Sequence, residues 1–85
     1  MPSKKELIEK LVRKPMPADY KLRELDTLMG KCGCKKIQGG RGSGIRYVHE
    51  KSGESLAFDA PHGGNALYRY HIKDAIEFLR RIGEI

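Results

Sequence analysis

The apolar residues at the start of the chain recur at helical spacing. Leu7, Ile8 and Leu11 would share one side of a helix, and Ser3 and Glu6 just before them have the spacing of a capping box. In a capping box the two side chains accept hydrogen bonds from backbone N–H groups that have no partner inside the helix. The pattern predicts a first helix over residues 4–13.

Two prolines separate this helix from a second one. Pro15 and Pro17 end the first helix, because proline lacks a backbone N–H group and disfavours helical backbone in the residue before it. Apolar residues then recur at i, i+3, i+6 and i+7, namely Leu22, Leu25, Leu28 and Met29. This spacing predicts a second helix over residues 19–32, with Asp19 as its N-cap and Gly33 as its C-terminal residue.

The periodicity changes from helical to alternating at Cys34. The segments 34–38, 45–49 and 54–59 alternate in polarity between turn residues, and they predict three strands. The first two strands are joined by residues 39–44, which include four glycines, and the last two by a short hairpin turn. In a turn with so few side chains, backbone N–H groups can approach an anion closely.

A third helix closes the chain. Residues 68–82 carry an apolar stripe and are followed by Gly83, a residue that suits the end of a helix. The stripe is formed by Ile72, Ala75, Ile76 and Leu79. The order α-α-β-β-β-α predicts a two-layer α+β fold, with a three-stranded antiparallel sheet, helices packed on one face and the other face in solvent. The 85 residues form one domain, in which residues 1–18 supply an N-terminal helix and linker and residues 19–85 the core.

The positive charge of the chain is concentrated in the predicted sheet. The whole sequence carries 17 Lys and Arg residues against 11 Asp and Glu, a net charge of +6. Residues 31–51 include six of the basic residues and one acidic residue, Glu50. Such clustering is typical of a surface that binds the phosphates of a nucleic acid, and a merely solvated strand face is the alternative.

Several side chains of this segment are candidates for RNA binding. The basic candidates for phosphate contacts are Lys35, Lys36, Arg41 and Arg46. Ser43 lies in the glycine-rich turn, where its hydroxyl could donate a hydrogen bond to a phosphate oxygen. Tyr47 could stack on a base, and packing within the sheet is the alternative.

Other features of the sequence exclude several classes of site. Cys32 and Cys34 are too close for an ordinary disulfide, and no second pair completes a zinc site. No carboxylate cluster has the spacing of metal ligands, so no metal or other cofactor is expected. No apolar run could span a bilayer and the N-terminus lacks an apolar signal region, so we expect a cytoplasmic protein without membrane contact.

The three histidines lie in different predicted environments. His49 is expected at the surface, at the end of the second strand, and His71 lies in the first turn of the last helix, where polar residues are common. His62 lies in the loop after the third strand and is followed by two glycines, which leave room for a substrate to approach its imidazole. A structural hydrogen bond within the loop is the alternative for His62.

A series of short motifs runs in order through the second half of the chain. They are the glycine-rich turn 39–44, Tyr47-Val48-His49, Ser52-Gly53, residues 61–67, and Tyr70, Ile72, Lys73, Phe78 and Leu79 of the last helix. Together they resemble the HicA family of toxin–antitoxin systems, most clearly over residues 35–83. The resemblance implies a fold similar to a double-stranded-RNA-binding domain, a metal-independent endoribonuclease activity on mRNA, and a HicB-like antitoxin protein as partner.

The chain departs from this family at one position. In HicA toxins a histidine follows the Gly-Ser of the glycine-rich turn and is taken as the catalytic residue, whereas here Gly44 follows Gly42-Ser43. RNA cleavage without a metal needs a base for the ribose 2′-OH, a cation for the phosphate charge and an acid for the leaving oxygen. The resemblance leaves His62, which matches a second family histidine, as the catalytic candidate, and it adds Lys73 to the RNA-binding residues.

Two functions remain open at this point. The resemblance as a whole indicates a HicA-type endoribonuclease with weak or lost activity, whereas Gly44 favours a non-catalytic RNA-binding or nucleic-acid-binding regulatory domain. A winged-helix-like DNA-binding protein is a weaker alternative, because the predicted helix over residues 19–32 is only mildly basic.

Overall fold

The computed structural model of the protein describes residues 3–38, 44–60 and 66–85. The elements follow in the order α1 (Lys4–Val12), α2 (Leu22–Lys31), β1 (Cys34–Gln38), β2 (Gly44–His49), β3 (Ser55–Asp59) and α3 (Arg69–Arg81). The predicted α+β architecture is confirmed, and each strand lies within one residue of its predicted bounds.

The start of α1 matches the prediction, whereas the start of α2 does not. The Ser3 hydroxyl accepts a hydrogen bond from the backbone N–H of Glu6 at 3.2 Å, as expected of an N-cap. The prediction that Asp19 caps α2 is wrong, because the backbone of Lys21 is still extended and forms a bridge with Ala66. The helix therefore begins at Leu22, and the Glu24 carboxylate accepts the hydrogen bond of the Lys21 N–H at 2.9 Å.

The three strands form an antiparallel sheet in the order β1-β2-β3. Its inner face, which faces the helices, carries Cys34, Lys36, Gln38, Ile45, Tyr47, His49, Leu56 and Phe58, and of these Lys36 and Gln38 on β1 remain exposed. Its outer face carries Lys35, Ile37, Gly44, Arg46, Val48, Ser55, Ala57 and Asp59. Across the outer face, Arg46 lies between Ile37 and Ala57, and Gly44 lies opposite Asp59.

The core lies between the inner face of the sheet and the three helices. Its fully buried members include Leu25 of α2, Tyr47 of β2 and Phe78 of α3. Leu7 and Leu11 belong to the same core, so α1 contributes to it as well as residues 19–85. The other core residues are Tyr20, Leu28, Met29, Cys32, Ile45, Leu56, Phe58, Leu67, Ile72, Ala75 and Leu79.

The expected surface position of His49 is wrong. His49 alternates with Tyr47 along β2, and both side chains therefore point to the covered inner face. The imidazole is buried, and its Nδ1 lies 2.6 Å from the hydroxyl of Ser52 in the following turn. His49 therefore ties the β2–β3 turn to the sheet.

The side chain of His71 joins α3 to the end of β3. The imidazole is fully buried, its Nδ1 accepts a hydrogen bond from the backbone N–H of Tyr68 at 3.0 Å, and its Nε2 lies 2.8 Å from the carbonyl oxygen of Asp59. These partners require an acceptor at Nδ1 and a donor at Nε2, which is the Nε2–H form of neutral imidazole. At the other end of α3, Arg81 pairs with Glu54 at 3.4 Å, so that α3 runs alongside β3.

The carboxylate of Asp26 joins α2 to the sheet. It accepts a hydrogen bond from the buried Tyr47 hydroxyl, and the Lys36 ammonium lies 3.0 Å from its second oxygen. Burial, reinforced by the hydrogen bond to Asp26, raises the pKa of the Tyr47 phenol. The neutral Tyr47 hydroxyl of β2 therefore donates its hydrogen bond to a carboxylate on α2.

We expect replacement of Asp26 to destabilise the domain. In the variant Asp26→Ala the Tyr47 hydroxyl loses its acceptor in a buried position, which costs about 1–3 kcal/mol of unfolding free energy. The variant Lys36→Ala removes only the partly exposed ion pair, and its cost is less than about 1 kcal/mol. Urea unfolding followed by circular dichroism measures both, and equal losses would contradict the role of the buried hydroxyl.

Candidate nucleic-acid interface

The structure separates the basic residues that the sequence placed together. Lys35 and Arg46 lie on the outer face, are exposed, and form no ion pair with any residue in the described ranges. Lys36 lies on the inner face instead, where Asp26 neutralises it. Lys73 is exposed on α3, in the helical layer rather than on the outer face. Of the predicted sheet contacts that the structure describes, Lys35 and Arg46 therefore share a surface.

Three predicted site residues cannot be placed. Arg41, Ser43 and His62 lie outside the described residues, so their predicted roles rest on the sequence and the resemblance alone.

The prediction that Tyr47 stacks on a base is wrong. Only 1% of the Tyr47 side chain is exposed, and its ring packs near Phe58 with 6.0 Å between the ring centres. Its hydroxyl is committed to Asp26. The ring could reach a base only by leaving the core, so packing within the sheet, the alternative reading of this residue, is what the structure shows.

A shallow depression lies at one end of the outer face, where β2 begins and β3 ends. It is lined by Ile37, Gly44, Ile45, Arg46, Ala57, Phe58 and Asp59. The floor of the depression is formed where side chains are small, because Gly44 has none and Ala57 has only a methyl group. Its wall is formed by Ile37, which is 48% exposed, and by Arg46 on the neighbouring strand.

Asp59 is a member of this site that the sequence reasoning missed. The sequence pattern marks it only as the end of the third strand, although alternation with Leu56 and Phe58 places it on the outer face together with Ala57. Pairing with Gly44 then brings it to the depression. The signal was present in the alternation, but only the pairing of β3 with β2 shows which residue lies opposite.

The charged groups of the depression are available to a ligand. The structure gives neither the Arg46 guanidinium nor the Asp59 carboxylate an ion pair with another described residue. The backbone carbonyl of Asp59 is occupied by His71, which holds this end of β3 in place. A guanidinium can bind phosphate through two parallel hydrogen bonds, and a carboxylate accepts hydrogen bonds from hydroxyl groups.

The backbone at Gly44 does not require glycine. Its φ lies outside the left-handed region, unlike the φ values of +81°, +79° and +84° at Gly33, Gly53 and Gly83. Apart from Gly44 itself and its chain neighbours, no described residue has an atom within 4 Å of the place where a Cβ at position 44 would be. A side chain at position 44 would therefore extend over the outer face between Arg46 and Asp59.

The cysteines do not form a nucleophilic or metal site within the described part of the chain. Both thiols are free, and burial raises the pKa of the Cys32 thiol to about 12. Burial and the Glu84 carboxylate also raise the pKa of Cys34. Among residues 3–38, 44–60 and 66–85, no three His, Cys, Asp or Glu side chains are grouped as metal ligands. None of the helices in the same ranges is long and apolar enough to cross a membrane.

Comparisons of the chain with protein-family models, with curated proteins and with solved structures give no match. The interpretation of the site therefore rests on the residues and geometry of this chain and on the motif resemblance.

We expect the variant Gly44→His to fold as the parent chain does. A Cβ at position 44 meets no described atom within 4 Å apart from those of Gly44 and its chain neighbours, so the melting temperature should change by less than about 4 °C, the effect of about 1 kcal/mol in a domain of this size. Gly53→His is the matched control, because φ is +79° there and a side chain costs roughly 1–2 kcal/mol. Thermal unfolding of both variants tests this, and an equal drop would show that position 44 also requires glycine.

Proposed function

We propose that the protein is an RNA-binding domain of the HicA type that contacts RNA through the outer face of its sheet. The observation that supports this most directly is that the Arg46 guanidinium and the Asp59 carboxylate, neither of which forms an ion pair within the described ranges, lie on either side of Gly44. Position 44 is where the HicA family carries its catalytic histidine. The motif resemblance and the open geometry of Gly44 therefore indicate the same surface.

The phosphates of the RNA are proposed to bind Arg46 and Lys35. The two residues lie on adjacent paired strands, two residues apart in register, since Arg46 pairs with Ile37 and Lys35 with Val48. Neither forms an ion pair with a described carboxylate, so a bound phosphate would not have to displace an internal ion pair. Lys36, which is neutralised by Asp26, contributes less.

Asp59 supplies a reason to prefer RNA over DNA. A carboxylate repels phosphate but accepts a hydrogen bond from a ribose 2′-OH, the group that distinguishes RNA from DNA at a given site. With the phosphate on Arg46, the neighbouring ribose would face Asp59 across Gly44. This arrangement holds the sugar beside a cation that could stabilise a phosphate during cleavage.

The proposed rate of RNA cleavage by this chain is low. Arg46 can serve as the cation, but Gly44 offers neither the base nor the acid that a histidine would supply. His62 is the remaining candidate for proton transfer by resemblance. We therefore propose a HicA-like mRNA endoribonuclease with weak or lost activity, and Gly44 specifically favours the second candidate, a regulatory domain that binds RNA without cleaving it.

The proposed protein partner is a HicB-like antitoxin. The resemblance implies such a partner, and the outer face is the surface that it would have to cover in order to exclude RNA. The exposed Ile37 beside Arg46 gives that face an apolar contact as well as charge. The proposed location of this pair is the cytoplasm.

We expect the double variant Lys35→Ala/Arg46→Ala to bind RNA more weakly than the parent chain. Each lost phosphate contact removes about 0.7 from the slope of log K against log salt for a single strand, so the magnitude of the slope should fall by roughly 1–2. The matched control is Arg13→Ala/Lys14→Ala, two exposed basic residues outside the sheet. Fluorescence anisotropy with a labelled RNA at several salt concentrations measures both slopes, and equal reductions would contradict binding at the outer face.

We expect the parent chain to cleave a labelled RNA slowly or not at all, and any cleavage to persist in chelator. His62→Ala should abolish residual cleavage if that imidazole transfers a proton. Gly44→His should increase cleavage, because it places an imidazole between Arg46 and Asp59.

A gel assay of the three proteins on one RNA separates these outcomes. Vigorous cleavage by the parent chain that survives His62→Ala would show that another group is the base. Cleavage that stops in chelator would replace the proposed mechanism by a metal-dependent one.

A further inference from the structure

Two tyrosines at the start of α3 differ from every other aromatic residue of the chain. The sequence holds four tyrosines and two phenylalanines. Tyr20, Tyr47, Phe58 and Phe78 are all buried. Tyr70 is 53% exposed and Tyr68 is 42% exposed. The ring of Tyr70, the more exposed of the two, presents an aromatic surface that a ligand could contact.

The exposed rings are held in place by His71. The ring centre of Tyr70 lies 4.1 Å from that of His71, and Tyr68 stacks on His71 at 5.3 Å with 15° between the planes. The two tyrosine rings lie 5.9 Å apart. His71 is itself fixed by hydrogen bonds through both ring nitrogens. The tyrosines therefore lose less conformational freedom on binding than isolated surface side chains would.

His71 connects the tyrosine pair to the strand end that borders the proposed phosphate-binding depression. Its ring contacts Tyr70 and its Nε2 lies 2.8 Å from the carbonyl oxygen of Asp59. The residue Asp59 in turn lines the depression with Arg46 and Gly44. One buried side chain therefore joins the tyrosines to the backbone of the residue that is proposed to contact ribose.

The helix that carries the tyrosines also carries cations that a polyanion can contact. Arg69 lies between the tyrosines in sequence and Lys73 follows it at i+4 on the same side of α3, while the acidic Asp74 lies at i+4 from Tyr70. Arg69 and Lys73 are exposed, and neither forms an ion pair with a described residue. Proteins bind single-stranded nucleic acids by combining rings that stack on bases with cations that follow the backbone.

We propose that Tyr70, supported by Tyr68, is a stacking platform for an unpaired base of the RNA strand whose phosphates bind the outer face. This inference rests on the proposed RNA-binding function and adds a base-binding subsite to it. The ligand class is single-stranded RNA, because a base within a duplex is already stacked on its neighbours and cannot lie flat on Tyr70. The platform recognises a base without reading its identity, since every base has an aromatic face.

The test compares strands with and without bases. The probes are a dye-labelled ten-nucleotide oligoadenylate, a strand of the same length and charge in which every base is absent, and a ten-base-pair RNA duplex. The parent chain should bind oligoadenylate about tenfold more tightly than the abasic strand, the typical effect of one stacked base. Tyr70→Ala should lose that advantage without changing affinity for the abasic strand or the duplex.

Two variants control for the chemistry and the fold. Tyr70→Phe keeps the ring and should retain the preference for oligoadenylate. Ile85→Ala removes an apolar side chain that is also 42% exposed but lies at the end of the chain, and it should behave as the parent does. Circular dichroism of each variant checks that it folds. We expect the Tyr70 variants to fold because the side chain is 53% exposed and lies outside the core.

The outcomes distinguish failure of the platform from failure of the proposed function. Equal affinity of the parent chain for oligoadenylate and the abasic strand would overturn the platform while leaving phosphate binding intact, and it is also the result expected if the tyrosines serve a protein partner. Equal weakening of both strands by Tyr70→Ala would overturn stacking in favour of a structural role. Binding of no strand by the parent chain would overturn the RNA-binding function and the platform with it.

Discussion

The burial of one face of β2 is the constraint on which the rest of this structure depends. The side chains of β2 at positions 45, 47 and 49 all point toward the helices. The hydroxyl of the buried Tyr47 is satisfied because Asp26 of α2 accepts its hydrogen bond. Side chains alternate along a strand, so the same arrangement places Gly44 and Arg46 on the opposite face. A shift of one residue in register would bury the arginine and expose the core residues, which makes the register strongly specified.

This sidedness divides the basic segment into groups with different roles. Lys36 follows the inner face and is used within the fold, where its ion pair with Asp26 helps to hold β1 against α2. Lys35 and Arg46 lie on the outer face and form no ion pair with another residue that the structure describes. A run of like charge in the sequence is therefore partly used within the fold and partly exposed on the proposed binding surface, and the strand alternation decides to which of the two each residue belongs.

His71 links the two layers of the molecule to the proposed interface. It accepts a hydrogen bond at the start of α3 and donates one to the last carbonyl of β3, so the position of Asp59 depends on the position of the helix. The same ring supports Tyr70 and Tyr68 on its solvent side. A buried imidazole thereby contacts both the strand end at the depression and the exposed aromatic pair.

Local patterns in the sequence were enough to determine the α+β class, the six elements, and most of the core. Helical stripes and strand alternation report which side of each element is apolar, and glycine, proline and serine report where elements end. The capping of α1 by Ser3 was predictable because cap and helix are neighbours in sequence.

Only the tertiary structure decided which residues share a surface. The start of α2 depends on a bridge between Lys21 and Ala66, which are distant in the chain, and no local signal around Asp19 contains that information. The burial of Tyr47 and His49, the pairing of Lys36 with Asp26, and the meeting of Asp59 with Gly44 likewise follow from strand register and helix docking. These features arise from contacts between distant residues, because it is the packing of elements, not their local pattern, that determines which polar groups are neutralised and which remain available to a ligand.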